Sequence, residues 1–225
     1  MIDMTVLRVG LLREAVVDYR FLLNRGYRRE PALNMVTSRY QLSTVERMAL
    51  LRGVMSLNEA ESRRSKLVRP EMVKGRRVII DGFNVLMTIR AALLRRPLIL
   101  CDDGFIRDIS SAFEKVKVTA SLYTALEIML FSLKRLKPAN VTVFFDSGVS
   151  KSGLFAAYTR RCLLRYGLTG GSVAVKKADV ATLSVKGLVA SSDAVIILRS
   201  YEVADLGGWI ASKIAPESLL DIGRF

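Results

Sequence analysis

Three aspartates each follow an apolar, strand-like run: Arg77-Val78-Ile79-Ile80-Asp81, Val141-Thr142-Val143-Phe144-Phe145-Asp146 and Leu188-Val189-Ala190-Ser191-Ser192-Asp193. Strand ends at the carboxyl edge of an open α/β sheet converge on one crevice, where such folds bind their ligands. Three carboxylates gathered there repel one another unless a proton or a cation neutralises them. A hard, oxygen-preferring ion such as Mg²⁺ is the simplest neutraliser. The pattern therefore predicts a metal-dependent site for phosphodiester cleavage, with Asp81, Asp146 and Asp193 as its acids. Asp179, in Lys176-Lys177-Ala178-Asp179, is a fourth candidate. Lys176 and Lys177 could steer phosphate into the site, although a solvated charge pair explains them equally well.

Polar neighbours fit the same chemistry. Asn84 lies one turn beyond Asp81, where its amide could orient a water or a phosphate. Ser147-Gly148 offers a loop able to approach a phosphate closely, and Ser192 adds a hydroxyl beside Asp193. Lys151 could grip the strand. Asp81 alone also reads as a plain helix cap. The run Cys101-Asp102-Asp103-Gly104-Phe105-Ile106-Arg107-Asp108 places two adjacent acids on a loop. Asp102 and Asp103 suit metal or water binding, and an Asp-Gly turn explains them as well.

The chain holds no histidine among its 225 residues. That excludes a histidine base, a Ser-His-Asp triad and a zinc site of the HExxH type. Two cysteines, Cys101 and Cys162, make neither a metal tetrad nor a disulfide framework. Water activation would have to come from a divalent ion. Thirty-five basic residues against 21 acidic ones give a net charge of +14. Such an excess, without a membrane-length apolar stretch, points to a polyanionic partner. RNA is the expected partner, and charge alone does not distinguish DNA from it. A soluble, cytoplasmic protein is expected.

Residues 1–70 read as an all-α region. Asp3 to Asn24 shows helical spacing, and Gly26 follows as a stop. Ser43-x-x-Glu46 and Ser56-x-x-Glu59 are capping boxes opening two more helices. Arg25, Arg28, Arg29, Arg39 and Arg47 form a basic set there, with Tyr27 and Tyr40 as possible stacking platforms for bases. The bland reading is an ordinary bundle exterior. Pro70 and Gly75 mark a boundary near residues 69–76.

From residue 76 to 225 strands and helices alternate. Val78–Ile80, Leu98–Cys101, Val141–Phe145, Val173–Val175 and Leu188–Ser191 read as strands. Helices are expected over Phe83–Leu94, from Thr119 to Pro138, over Gly153–Tyr166 and within residues 194–214. This order predicts an α/β fold with a parallel sheet and a right-handed crossover.

The Asp81-Gly82-Phe83-Asn84 opening, the strand-borne Asp146 and the Ser191-Ser192-Asp193 ending resemble PIN-like and NYN-type nuclease domains over roughly residues 76 to 215. The whole chain is similar to a group of uncharacterised, mostly archaeal proteins that join such a domain to a small helical one. Leu23-Asn24-Arg25-Gly26-Tyr27, Arg39-Tyr40-Gln41-Leu42 with Glu46-Arg47, Cys101-Asp102-Asp103-Gly104-Phe105 and Ser150-Lys151-Ser152-Gly153 carry that likeness. The resemblance implies a three-layer domain with a central parallel sheet, and a Mg²⁺- or Mn²⁺-dependent endoribonuclease in which Asp81, Asp146, Asp193 and Asp179 are the acids. It also implies a possible homodimer. PIN nucleases commonly carry a further acid on the helix after the first strand, and residues 85–97 contain none; Asp102 or Asp103 would replace it. Two other readings compete: a catalytically silent RNA-binding protein of the same fold, and an Asp-nucleophile phosphohydrolase. The second usually needs an acid two residues after the nucleophile, where Phe83 stands.

Overall fold

The computed structural model of the protein describes residues 7–110, 113 and 115–225. The chain begins with four helices: α1 (Val9–Asn24), α2 (Arg29–Arg39), α3 (Thr44–Gly53) and α4 (Leu57–Arg64). The start expected for the first helix at Asp3 lies outside the described residues. The Ser43 box closes in both directions, with Glu46 N–H donating to Ser43 Oγ and Ser43 N–H to Glu46 Oε2. Ser56 Oγ accepts from Glu59 N–H at the head of α4. Helix α2 lies within the region expected to be all-α and contains Pro31. This proline falls in the first turn, where a missing N–H costs nothing.

After a 3₁₀ turn at Pro70–Val73 the texture changes as expected. The main sheet is built from β1 (Leu67–Val68), β2 (Arg77–Asp81), β5 (Asn140–Asp146), β6 (Gly170–Val175), β7 (Leu188–Ala190) and β8 (Val203–Ala204). Every pairing in it is parallel, in the order β1-β8-β7-β2-β5-β6. A second sheet orders β4 (Ile106–Asp108), β3 (Leu98–Leu100) and β9 (Leu219–Asp221). These are joined by α5 (Gly82–Leu93), α6 (Ala120–Leu136), α7 (Ser152–Arg165), α8 (Ala178–Ser184), α9 (Ala194–Arg199) and α10 (Leu206–Ile214).

Parallel strands covered on both faces must be apolar on both. Val78 and Ile80 of β2 point into the large core with α5, α6, α7 and α10. Ile79, one residue out of phase, packs with Phe144 and Ala178 on the opposite face. The molecule is thus an α/β fold with helices on either side of a six-stranded parallel sheet. Of the face expected of α6, Leu122, Leu126, Met129 and Leu133 are fully buried and Leu136 is partly buried against the same core.

The helical half does not close its own core. Leu12, Val16 and Tyr19 of α1, Leu33 of α2 and Leu50 of α3 are completed by Ile99, Cys101, Ile109 and Ile222 from beyond the expected boundary. An ion pair ties the same seam, with Arg20 gripping Asp102 through Nε and Nη2 at 3.1 and 2.6 Å. Among the described residues no helix is long and apolar enough to cross a membrane.

Candidate active site at the carboxyl edge of the sheet

Strand β2 is flanked by β5 on one side and β7 on the other, so the strand order reverses between β2 and β7. In open α/β sheets that switch point opens a crevice at the carboxyl edge. Asp81 is the last residue of β2, and α5 begins directly after it at Gly82. The turn requires glycine. A Cβ at position 82 would lie 2.3 Å from the Phe145 ring and 2.8 Å from the Phe144 carbonyl oxygen. Below it Phe83, Phe145 and Phe155 pack as an aromatic cluster, with centroids 4.8 and 5.1 Å apart from Phe145, which fixes the base of the edge.

The segment after β7 closes onto Asp81. Ser191 Oγ donates to Asp81 Oδ2 at 3.0 Å. The Oδ1 atom of Asn84 accepts from Ser192 N–H at 2.8 Å and Ser192 Oγ at 3.1 Å. Asn84 therefore positions the serine loop beside Asp81, where the sequence offered its amide for orienting a water or a phosphate. Asp193 uses Oδ1 to cap α9, accepting from Val195 and Ile196 N–H at 2.8 and 3.0 Å.

Burial dominates the electrostatics of Asp81 and pushes its pKa up to about 7. The Ser191 hydroxyl opposes that rise, while the charges of Asp193 and Asp179 add to it. One flank of Asp81 remains open to solvent, as its half-buried surface shows. A carboxyl poised near neutrality beside two further carboxylates attracts a cation.

The other expected acids are placed differently. Asp81 lies opposite Phe144 in the β2–β5 register, so Asp146 stands two residues further along the same edge. Its Oδ1 accepts from Gly148 N–H at 2.7 Å. Asp179 is exposed in the first turn of α8. Among the described residues no group of three or more His, Cys, Asp or Glu side chains is arranged to hold a metal ion. The edge therefore brings Asp81, Asp193 and Asp179 within electrostatic reach of each other without a preassembled three-acid cage. A Mg²⁺ ion bound through one or two carboxylates and water needs no such cage, and Asp81 and Asp193 are the residues that could hold one.

Asp102 and Asp103 do not supply the missing acid. Asp102 is engaged by Arg20 and by Met55 N–H at 3.0 Å. Asp103 is fully buried, and Arg107 holds both of its oxygens at 2.8 and 2.7 Å. Guanidinium groups neutralise both carboxylates, and the adjacent acids serve as the turn of the β3–β4 hairpin.

Lys176 and Lys177 are exposed immediately before α8, and exposed Lys151 precedes α7; the Ser147 side chain is likewise exposed. In the helical half Arg25, Arg28 and Tyr27 face solvent. Arg39 stacks over the Tyr40 ring at 5.5 Å, and Tyr40 Oη donates to Asp18 at 2.8 Å. Arg47 pairs with Glu30. Arg29 turns inward, donating to the Leu51 and Val54 carbonyls. The sequence marks the serines of Ser191-Ser192-Asp193 as supporting hydrogen-bonding groups, and Ser191 makes such a bond to Asp81; sequence reasoning missed Arg107, whose Nε donates to the Ser192 carbonyl at 2.9 Å. Its signal was the Asp103-to-Arg107 spacing across a hairpin.

Two family models match the chain: a domain of unknown function (DUF5616) over residues 70–209 and a protein of unknown function (DUF434) over residues 11–66. An uncharacterized protein of Methanocaldococcus jannaschii is 34% identical over 203 residues, covering 90% of this chain and 96% of the relative. No solved structure matches. The chain, by the match that spans most of its α/β half and by this archaeal relative, belongs to the DUF5616 family.

Proposed function

We propose that the protein is a PIN-like, metal-dependent ribonuclease that hydrolyses phosphodiester bonds at the Asp81 edge. One observation carries this reading: a carboxyl with a pKa near 7 at the switch point of a parallel sheet, with Asp193 and Asp179 raising it further. The parallel sheet with helices on both faces is what the PIN-like resemblance implies, and the net charge of +14 suits an RNA partner.

Asp81 and Asp193 would hold Mg²⁺ or Mn²⁺. Such an ion lowers the pKa of a bound water and offsets charge on the phosphate. The protein's own groups do the positioning. Ser191 orients Asp81 through Oδ2, and Asn84 holds the Ser192 loop so that Asp193 stays at the rim. In the free site burial favours the protonated form of Asp81, and that proton must leave before a cation is held. Lys176 and Lys177, beside Asp179, would contact the strand backbone.

The test is cleavage of end-labelled single-stranded RNA with Mn²⁺ or with EDTA. Cleavage that needs the metal and disappears in Asp81→Asn and Asp193→Asn is the expected result. Metal-independent cleavage, or cleavage untouched by both substitutions, overturns the proposal. A second reading draws on the lack of a preassembled acidic cage among the described residues: an RNA-binding protein of the same fold without catalysis. It predicts salt-sensitive RNA binding and intact RNA after incubation with either ion.

A further inference from the structure

A groove of about 590 Å³ lies at the amino edge of the main sheet, at the end opposite the carboxylates. Its lining places it there. Arg76 directly precedes β2 and Glu202 directly precedes β8, while Arg199 closes α9. Strand β2 separates this edge from Asp81, a span of about 13 Å at roughly 3.3 Å per residue. The wall holds three cations, Arg76, Lys186 and Arg199, and one acid, Glu202. Arg76 neutralises Glu202 in an ion pair. Lys186 and Arg199 are exposed, and neither is paired with any described residue. Their two charges are therefore uncompensated. Next to Arg199 in the chain, Ser200 is 9% exposed, and its hydroxyl has no hydrogen-bond partner among the described residues. Tyr201 follows, 96% exposed. A ring left so bare contributes nothing to the core, so packing does not account for it.

We propose that this groove is a second nucleic-acid site, which holds a single strand of RNA by stacking a base on Tyr201 and neutralising phosphates with Lys186 and Arg199. The ligand class follows from the combination. Single strands offer open base faces and a charge at every step, and proteins hold them with aromatic platforms set among cations. A duplex keeps its bases stacked on one another and gives Tyr201 no face to cover. Any single-stranded nucleic acid shares this chemistry, and the groove rests on the nuclease reading only for the choice of RNA. It deepens that reading by giving the enzyme a hold on its substrate away from the cut. Two contacts on one strand reinforce each other through effective concentration. An RNA long enough to reach both edges of the sheet is then held more tightly than one that reaches either.

The test is binding of the full chain in EDTA, so that no cleavage is needed. Fluorescence anisotropy would compare a labelled, unstructured RNA with the same RNA annealed to its complement and with DNA of the same sequence. Tyr201→Ala should weaken the single-stranded RNA about tenfold, the worth of roughly one stacked base, and leave the duplex within about twofold. Tyr201→Phe should bind like the parent, because the ring and not the hydroxyl does the stacking. Lys186→Gln and Arg199→Gln should each flatten the slope of log affinity against log salt by about 0.7. All three positions are exposed, so the variants should melt with the parent. A Tyr201→Ala variant that binds both RNAs like the parent, or weakens both equally, overturns the proposal. Salt slopes unmoved by both charge substitutions overturn it as well. DNA bound more tightly than the RNA overturns the choice of RNA. Because the readout is metal-free, binding that depends on Tyr201 without cleavage sinks only the nuclease reading. Cleavage with binding indifferent to Tyr201 sinks only the groove.

Discussion

Asp81 offers a quantitative test that needs no substrate. Its pKa rises from 3.8 to about 7 on folding, chiefly through burial. Below about pH 4 folded and unfolded chains both hold the proton, so Asp81 contributes nothing to pH dependence. Between about pH 4 and 7 the folded chain keeps a proton that the unfolded chain releases, and stability falls as pH rises. Above that window the cost is constant. About three pH units at roughly 1.4 kcal/mol each set an upper bound of about 4 kcal/mol. Solvent on the open flank of Asp81 reduces this to roughly 2 kcal/mol. Asp81→Asn keeps the shape and removes the charge. In EDTA the variant should melt roughly 4–8 °C above the parent at about pH 8. The two should coincide at about pH 4. Mn²⁺ at about 100 times its dissociation constant should then stabilise the parent by about 2.7 kcal/mol and leave the variant unmoved. Thermal unfolding followed by circular dichroism reads all of these quantities. A variant no more stable than the parent at the higher pH would refute a desolvated, carboxylate-crowded Asp81. A parent indifferent to Mn²⁺ would refute the cation site.

Three further outcomes are expected. Burial pushes Glu46 up, but hydrogen bonds from Arg8 and Ser43 outweigh it and hold its pKa at about 2. It therefore stabilises the fold above the usual carboxylate range and loses that contribution between about pH 4.5 and 2. Glu46→Gln should cost about 2–3 kcal/mol near neutrality in urea unfolding and nothing at the acid end of the window. Asp102→Ala leaves Arg20 buried at the seam without its carboxylate and should cost about 3–5 kcal/mol; a loss below about 1 kcal/mol, the worth of a surface pair, would mean that the seam is solvated. RNA affinity should fall with salt at a slope of about −0.7 per neutralised phosphate, and Arg28→Gln should flatten that slope by about 0.7 if the exposed helical face touches the strand.

Legibility in the sequence followed the range of the interactions. Strand β2 was readable because Val78-Ile79-Ile80 is apolar on both faces and Gly82 can follow only a tight turn. The helix-opening boxes at Ser43 and Ser56 were readable because both partners lie three residues apart. The short strands β4, β8 and β9 were not, since two or three residues carry no period and exist only through their neighbours. Asp102 and Asp103 misled for the same reason. Two adjacent acids on a loop look like ligands until Arg20, 82 positions away from Asp102, is seen to claim one of them. Asn84 was placed correctly one turn beyond Asp81, yet its partner is the Ser192 loop, 108 positions away.

Those distant pairings explain why the two halves act as one body. The four-helix half shares its core with Ile99 of the small sheet and with Ile109 and Ile222, which follow β4 and β9. Once docked there, α1 and α4 are no longer free to turn, because Arg20–Asp102 and Arg63–Asp103 pin the seam from both sides. The acids that looked catalytic are thus used to hold the arginine-bearing helices against the Asp193 rim. The seam and the carboxylate edge are then coupled by construction: Arg107 reaches from Asp103 at the seam to the Ser192 carbonyl, and Ser192 reaches Asn84 beside Asp81. Loosening the seam should therefore disturb the Asp81 edge, even though no residue of the seam touches it.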